Sequence, residues 1–321
     1  MSYSILKLLT YLILFLSLIF TFSSKNYFMI WMGLEMNLIM YLMISSLSNS
    51  QSNSNSMMKY YMIQSLSSNF FFLSIIMKMN DKNFIFMNCI LILSMWMKLG
   101  FFPFSGWFFQ MSENLNWNFW FLLNFFQKLI PLMIISMNFI NNNLIIMLIF
   151  MNFFYCIFEI FFQTSIRWMM NCSSMNHFNW MLISIINSKF IWHIYLFIYS
   201  ILFYFTYKFL KNNNINSFMM FMALKTNYFF LLFFLLMLNY MGLPPFMGFI
   251  PKILILKFSN YFFMMLILLI FNILSYIIYM YFILPLLILN MYKYILYFKT
   301  NNTIIFFMVS IIFFMVSIIF F

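Results

Sequence analysis

The chain is poor in acidic residues. Its 321 residues include four Asp and Glu against 16 Lys and Arg, and charged residues of both signs make up only 6%. A soluble domain gives about a quarter of its residues to charge, so a fold of this size could not cover its surface in water. Five glycines leave no G-x-G-x-x-G and no phosphate loop, which excludes the nicotinamide, flavin and nucleotide sites built on such turns. The three cysteines, Cys89, Cys156 and Cys172, form no C-x-x-C pair, which argues against a disulfide framework or an iron–sulfur site. Two histidines without paired helical spacing do not make a haem site. No chemical step is visible in the chain.

What is present is oil-soluble. Apolar residues make up 66% and aromatic ones 25%, with 51 Phe and 35 Met, and the mean hydropathy is +0.99. Apolar runs of about 18–20 residues then read as spanning helices. They fall near 3–22, 26–47, 60–78, 84–101, 118–139, 143–163, 172–187, 190–209, 226–243, 258–288 and 303–321. The reading is an all-α polytopic membrane protein of about eleven helices in a single membrane domain. The run at 258–288 either tilts or ends near Pro285. The N-terminal run reads as a first spanning helix rather than a signal peptide. The net charge of +12 does not indicate nucleic-acid binding. The basic residues are scattered singly, and most sit at the ends of runs, as Lys25, Lys59, Lys82, Lys189, Lys208, Lys211 and Lys299 do, where they can meet anionic headgroups. They divide almost evenly between alternate loops, so the positive-inside rule assigns no orientation. One alanine, one arginine and an excess of Phe and Met point to an AT-rich coding genome, as in an organelle.

Two segments interrupt the pattern: MKLGFFPFSGWFF at 97–109 and MGLPPFMGFIPK at 241–252. They hold Gly100, Pro103, Gly242, Pro244 and Pro245, and every glycine except Gly33. Proline removes a helix hydrogen bond, and in lipid the freed groups must be satisfied by protein or internal water. Breaks in the fourth and ninth helices point to two repeats of inverted topology around a midplane site. The alternative is that they form turns at helix ends.

Charges at membrane depth are the other signal. Glu35 lies near the centre of the second run, where an ionised carboxylate costs at least about 2.5–3.5 kcal/mol and normally faces the bundle interior with a partner. Lys98 adjoins the first break, and Lys128 lies mid-run three residues before Pro131. Lys252 follows the second break and is either buried or snorkelling. Loss of hydration disfavours a lysine's charge and a nearby carboxylate restores it, so such a pair titrates as a unit and can pass a proton on when it moves. His177 opens the seventh run, as a hydrogen-bonded core residue or as an extension of a relay. Asp81 and Glu113 read as solvated or interfacial carboxylates, and Glu159 and His193 receive no role.

Six blocks occur in order: WMGLEMNLIMYL (31–42), KYYMIQSLSSN (59–69), MKLGFFPFSGWF (97–108), QKLIP (127–131), QTSIRWMMNCSSMNHFNWML (163–182) and GLPPFMGFIPK (242–252). Across about two thirds of the chain they resemble the subunit 2 family of mitochondrial NADH dehydrogenase (respiratory complex I), in its shortened, insect-like animal form. The resemblance implies an antiporter-like subunit of two inverted five-helix repeats, about 1–140 and 141–290, with a C-terminal helix near 303–321. It assigns proton handling to Glu35, Lys98, Lys128 and Lys252, and to His177 by its S-S-x-x-H block. It departs from the family at Ser105, where a His is usual, at Phe109–Gln110, where Pro-Glu often stands, and at Glu159–Phe162, where the family has Gly-Gly-Leu-Asn.

The implied function is a core membrane-arm subunit of NADH:ubiquinone oxidoreductase in the mitochondrial inner membrane, mitochondrially encoded, that translocates protons through its buried Glu and Lys. The implied partners are neighbouring membrane-arm subunits and membrane lipids, cardiolipin among them. No cofactor is expected in this chain, with NADH, FMN, iron–sulfur clusters and ubiquinone handled by other subunits. The alternatives are an independent cation/proton antiporter and a structural scaffold with merely paired charges.

Overall fold

The computed structural model describes residues 2–46, 51–79, 84–137, 142–162, 165–217, 220, 227–259 and 262–294. Among these, helices account for nearly everything, and the one extended pairing is an isolated bridge between Ser165 and Ser217. In chain order the helices are α1 (Ser2–Ser23), α2 (Tyr27–Ser46), α3 (Gln51–Met79), α4 (Phe84–Leu99), α5 (Gly106–Asn114), α6 (Trp117–Asn124), α7 (Phe126–Met137), α8 (Asn142–Phe162), α9 (Ile166–Asn187), α10 (Lys189–Asn213), α11 (Asn227–Met241), α12 (Phe249–Phe258) and α13 (Phe262–Tyr294). The chain divides into two compact units, 1–152 and 153–321, the division falling inside α8.

Solvation explains these elements. Among the described residues five stretches are long and apolar enough to cross a membrane by themselves: Ile5–Ser23, Tyr27–Ser46, Trp117–Met137, Leu144–Phe162 and Lys189–Asn213. On α1 the large apolar residues Leu8, Leu12, Leu16 and Ile19 point outward, as expected where lipid is the solvent. The hydroxyls of Thr10, Ser17 and Thr21 fold back onto the carbonyls of Lys7, Leu14 and Leu18, since in oil the helix itself is the nearest acceptor. Helix α9 is built the other way round. Its sequence holds Asn171, Ser173, Ser174, His177 and Asn179, all buried. Such a helix cannot face lipid, and it is enclosed by protein along most of its length.

Several expected boundaries move. The polar stretch ahead of the third run is helical from Gln51 onward, so α3 begins well before residue 60. The fifth run is interrupted at Phe125, which separates α6 from α7. Pro131 lies inside α7 and, without an N–H, cannot bond the Gln127 carbonyl one turn back. The run from 258 does not end near Pro285, and α13 continues to Tyr294. Each Gly/Pro break is followed by a short helix of its own, α5 and α12, rather than a simple turn. The expected helix at 303–321 and the residues Asp81, Lys82 and Lys299 lie outside the described residues.

Candidate functional site

Burial sorts the lysines sharply. Lys25, Lys59, Lys78, Lys189, Lys208, Lys211 and Lys257 are exposed. Lys98, Lys128 and Lys252 are 6%, 2% and 5% exposed, which removes snorkelling as an account of Lys252. Glu113 on α5 and His193 on α10 are exposed. Glu159 is half-buried and accepts a 3.0 Å hydrogen bond from Trp168 Nε1, tying α8 to α9.

In the first unit the site is built around the end of α4. Gly100 takes φ +67, a conformation that costs a side chain about 1–2 kcal/mol. A Cβ there would also meet Phe108 Cβ at 2.8 Å and Trp107 Cζ2 at 2.9 Å. The glycine thus lets the start of α5 come close to the end of α4, from where α5 packs on α3. Groups near the break find protein partners: the Lys98 carbonyl accepts from Gln64 Nε2 at 3.2 Å, the Phe102 carbonyl from Trp96 Nε1 at 2.9 Å, and the Phe102 N–H donates to Asn152 Oδ1 at 3.0 Å. The returning α5 places the Phe108 ring under Lys128, whose Nζ lies 3.9 Å from the ring centroid. A desolvated contact of this kind contributes about 2 kcal/mol. Glu35, on α2, is half-buried rather than enclosed.

Beside Lys128, the Gln127 amide ties three helices together. Its Nε2 donates to Asn37 Oδ1 on α2 at 3.1 Å, and its Oε1 accepts from the Tyr60 hydroxyl on α3 at 3.3 Å. Gln127 sits two residues past the interruption at Phe125, so these bonds fix the face that α7 presents. Gln127→Leu leaves the buried Asn37 and Tyr60 groups short of a partner, at about 1–3 kcal/mol each. A lower melting temperature for the assembled protein is the expected result, and an unchanged one would contradict this role.

In the second unit α11 ends at Gly242, which takes φ +72. The carbonyls near the end of α11 carry the negative pole of its dipole. Lys252 Nζ donates to the Met241 carbonyl at 2.8 Å and the Tyr276 hydroxyl to the Gly242 carbonyl at 3.1 Å. A second bond runs from Lys252 Nζ to Asn272 Oδ1 at 3.2 Å, and the rings of Tyr276 and Trp180 stand 5.5 and 5.8 Å from the ammonium. Lys252 is thus held by neutral dipoles and ring faces. His177 on α9 meets the Tyr195 hydroxyl through Nδ1 at 2.9 Å and packs against the Tyr240 ring, whose hydroxyl is 3.2 Å from Thr206 Oγ1. Lys252 and His177 line one cavity of about 20 Å³, together with Ser173, Asn176, Asn272 and Tyr279. That is room for about one water.

The structure therefore places Glu35, Lys98 and Lys128 in the first unit, and brings His177 and Lys252 to one cavity in the second. Among the described residues no three His, Cys, Asp or Glu side chains come together as a metal would require. The neutral partners Gln127, Asn37, Trp180 and Asn272 escaped sequence reasoning, which followed formal charge. Their signal was an amide or indole within a spanning run. The two breaks also share a pattern, Gly100-x-x-Pro103-x-x-Gly106 and Gly242-x-x-Pro245-x-x-Gly248.

Comparison with known proteins bears on the family and the fold. Residues 24–278 match the family model for the transmembrane part of NADH:quinone oxidoreductase and Mrp antiporters. The NADH-ubiquinone oxidoreductase chain 2 of Anopheles gambiae is 32% identical over 248 residues, covering 74% of this chain and 72% of that protein. In fold, the chain resembles one from the respiratory complex I of Thermus thermophilus, with TM-score 0.77 and 16% identity, over 87% of this chain and 69% of that one. It also resembles one from the Mrp complex of Dietzia, with TM-score 0.73 and 11% identity, over 85% of this chain and 59% of that one. The chain belongs to the NADH:quinone oxidoreductase/Mrp antiporter membrane family and is a relative of its NADH-ubiquinone oxidoreductase chain 2 members.

Proposed function

We propose that this chain is an antiporter-like membrane-arm subunit of a mitochondrial NADH:ubiquinone oxidoreductase and that it moves protons across the inner membrane. The observation that carries this reading is that three lysines are enclosed at helix irregularities while seven others are exposed. A buried ammonium is costly and calls for a use. In this reading Glu35 and Lys98 form a coupled pair, and separating them passes a proton on toward Lys128. In the second unit Lys252 has the corresponding duty, with His177 beside it. The inner-membrane location and mitochondrial encoding, the two inverted repeats (about 1–140 and 141–290), the neighbouring membrane-arm subunits and a lipid shell that includes cardiolipin belong to the same proposal. NADH, FMN, the iron–sulfur clusters and ubiquinone would be bound by other subunits, with electrons passing there.

The likeness to an Mrp complex gives a second reading, an independent cation/proton antiporter. Glu35→Gln and Lys98→Met in the assembled complex distinguish the two. Both should lower the protons moved per electron by a common factor, because each removes one half of a coupled pair. An unchanged ratio would refute the relay. Cation-for-proton exchange by the purified chain in liposomes would favour the antiporter, and loss of assembly in both variants would favour a scaffold.

A further inference from the structure

We propose that Trp180 is a positioning residue for Lys252, acting through the side-chain amide of Asn272; the inference rests on the reading of Lys252 as a proton carrier. Trp180 Nε1 donates to Asn272 Oδ1 at 3.3 Å, and the same oxygen accepts from Lys252 Nζ at 3.2 Å. An indole N–H is a donor only, whereas an asparagine amide offers an acceptor at one end and donors at the other. Trp180 therefore fixes which end of Asn272 faces inward. Turned the other way, the amide would set its N–H groups against the indole N–H and the ammonium together.

All three side chains are enclosed, with Trp180, Lys252 and Asn272 at 1%, 5% and 8% exposure. They come from three different helices, α9, α12 and α13. No other hydrogen bond from the Asn272 side chain is formed among the described residues, so two donors orient it, and once Lys252 gives up its proton the indole alone still requires the oxygen. The adjoining cavity of about 20 Å³ has room for about one water. Solvent therefore has little capacity to replace a lost acceptor. Met241, on the backbone, cannot turn away, which leaves the Asn272 amide as the adjustable partner of Lys252. Phenylalanine at 180 would keep most of the ring and lose the orienting proton.

The test is a pair of backgrounds in the assembled complex, read as protons moved per electron at a series of pH values. In the Asn272 background, Trp180→Phe should displace the pH of half-maximal pumping by about one unit, the scale of one hydrogen bond to a charged group. In an Asn272→Asp background the same substitution should have less than a third of that effect, because a carboxylate presents an acceptor whichever way it turns. Should Asn272→Asp stop pumping, Asn272→Ser serves the same purpose, since a hydroxyl can turn a lone pair toward Lys252 without help. An equal displacement in both backgrounds would make Trp180 a packing residue and overturn the proposal, as would no displacement in either. Lys252→Met separates the two levels. If it pumps like the parent, the reading of Lys252 itself fails; if it stops pumping and the displacements are equal, only the role of Trp180 fails.

Discussion

Replacing Lys128 with methionine in the assembled complex is expected to slow proton translocation by about a hundredfold, the lower end of what a positioned proton-transferring side chain contributes. Assembly is expected to be unchanged or slightly improved. The balance of terms gives this sign. Placing the ammonium at membrane depth costs at least about 2.5–3.5 kcal/mol, and the Phe108 ring at 3.9 Å returns about 2 kcal/mol. Methionine fills similar space, packs against the same ring and carries no charge, so the fold loses little by the exchange. A scaffold role predicts the reverse, with assembly falling and turnover of the surviving complexes unchanged. Lys128→Arg sharpens the test. Arginine keeps the charge and the ring contact but does not give up its proton in a protein. It should therefore pump as poorly as the methionine variant, and normal pumping by Lys128→Arg would remove Lys128 from the relay.

The buried lysines could be read from the sequence because an ammonium inside a run such as LLNFFQKLIPLMIIS conflicts with its surroundings whatever the fold. Their partners could not. Asn272 sits in an apolar stretch of a chain rich in asparagine, and nothing in one sequence says that Trp180, on a helix far earlier in the chain, points to the same place. Geometry of that kind is set by packing between helices, which periodicity does not encode. Glu35 was expected to face the interior and is only half-buried, since two faces of α2 are nearly equally apolar. Composition also misled at α3. Ser and Asn are poor helix formers at its start, yet adding a turn to an existing helix is far easier than starting one, so α3 extends back to Gln51. The helices after the breaks were missed because Gly and Pro read as stops, while in oil a stop must be followed quickly by another element that satisfies the backbone.

The matched glycines of the two breaks should respond oppositely to the same substitution. Gly106 and Gly248 close the repeated Gly-x-x-Pro-x-x-Gly pattern, each beside the start of a short helix. An added Cβ at Gly106 meets nothing within 4 Å. Gly106→Ala is therefore expected to leave stability within about 1 kcal/mol of the parent, with any change toward greater stability. At Gly248 a Cβ would collide with the backbone carbonyl oxygen of Asn239 and would stand 3.3 Å from Gly242 Cα. Neither is a flexible side-chain end, so α11 and α12 must separate. Overpacking of this kind costs about 1–3 kcal/mol, and here it also pulls Lys252 away from the Met241 carbonyl at 2.8 Å. Gly248→Ala should therefore lower both the melting temperature and the protons moved per electron, while Gly106→Ala changes neither by much. Equal tolerance at the two positions would mean that the close approach of α11 to α12 is not what seats Lys252, and the neutral cage around its ammonium would have to be held by α9 and α13.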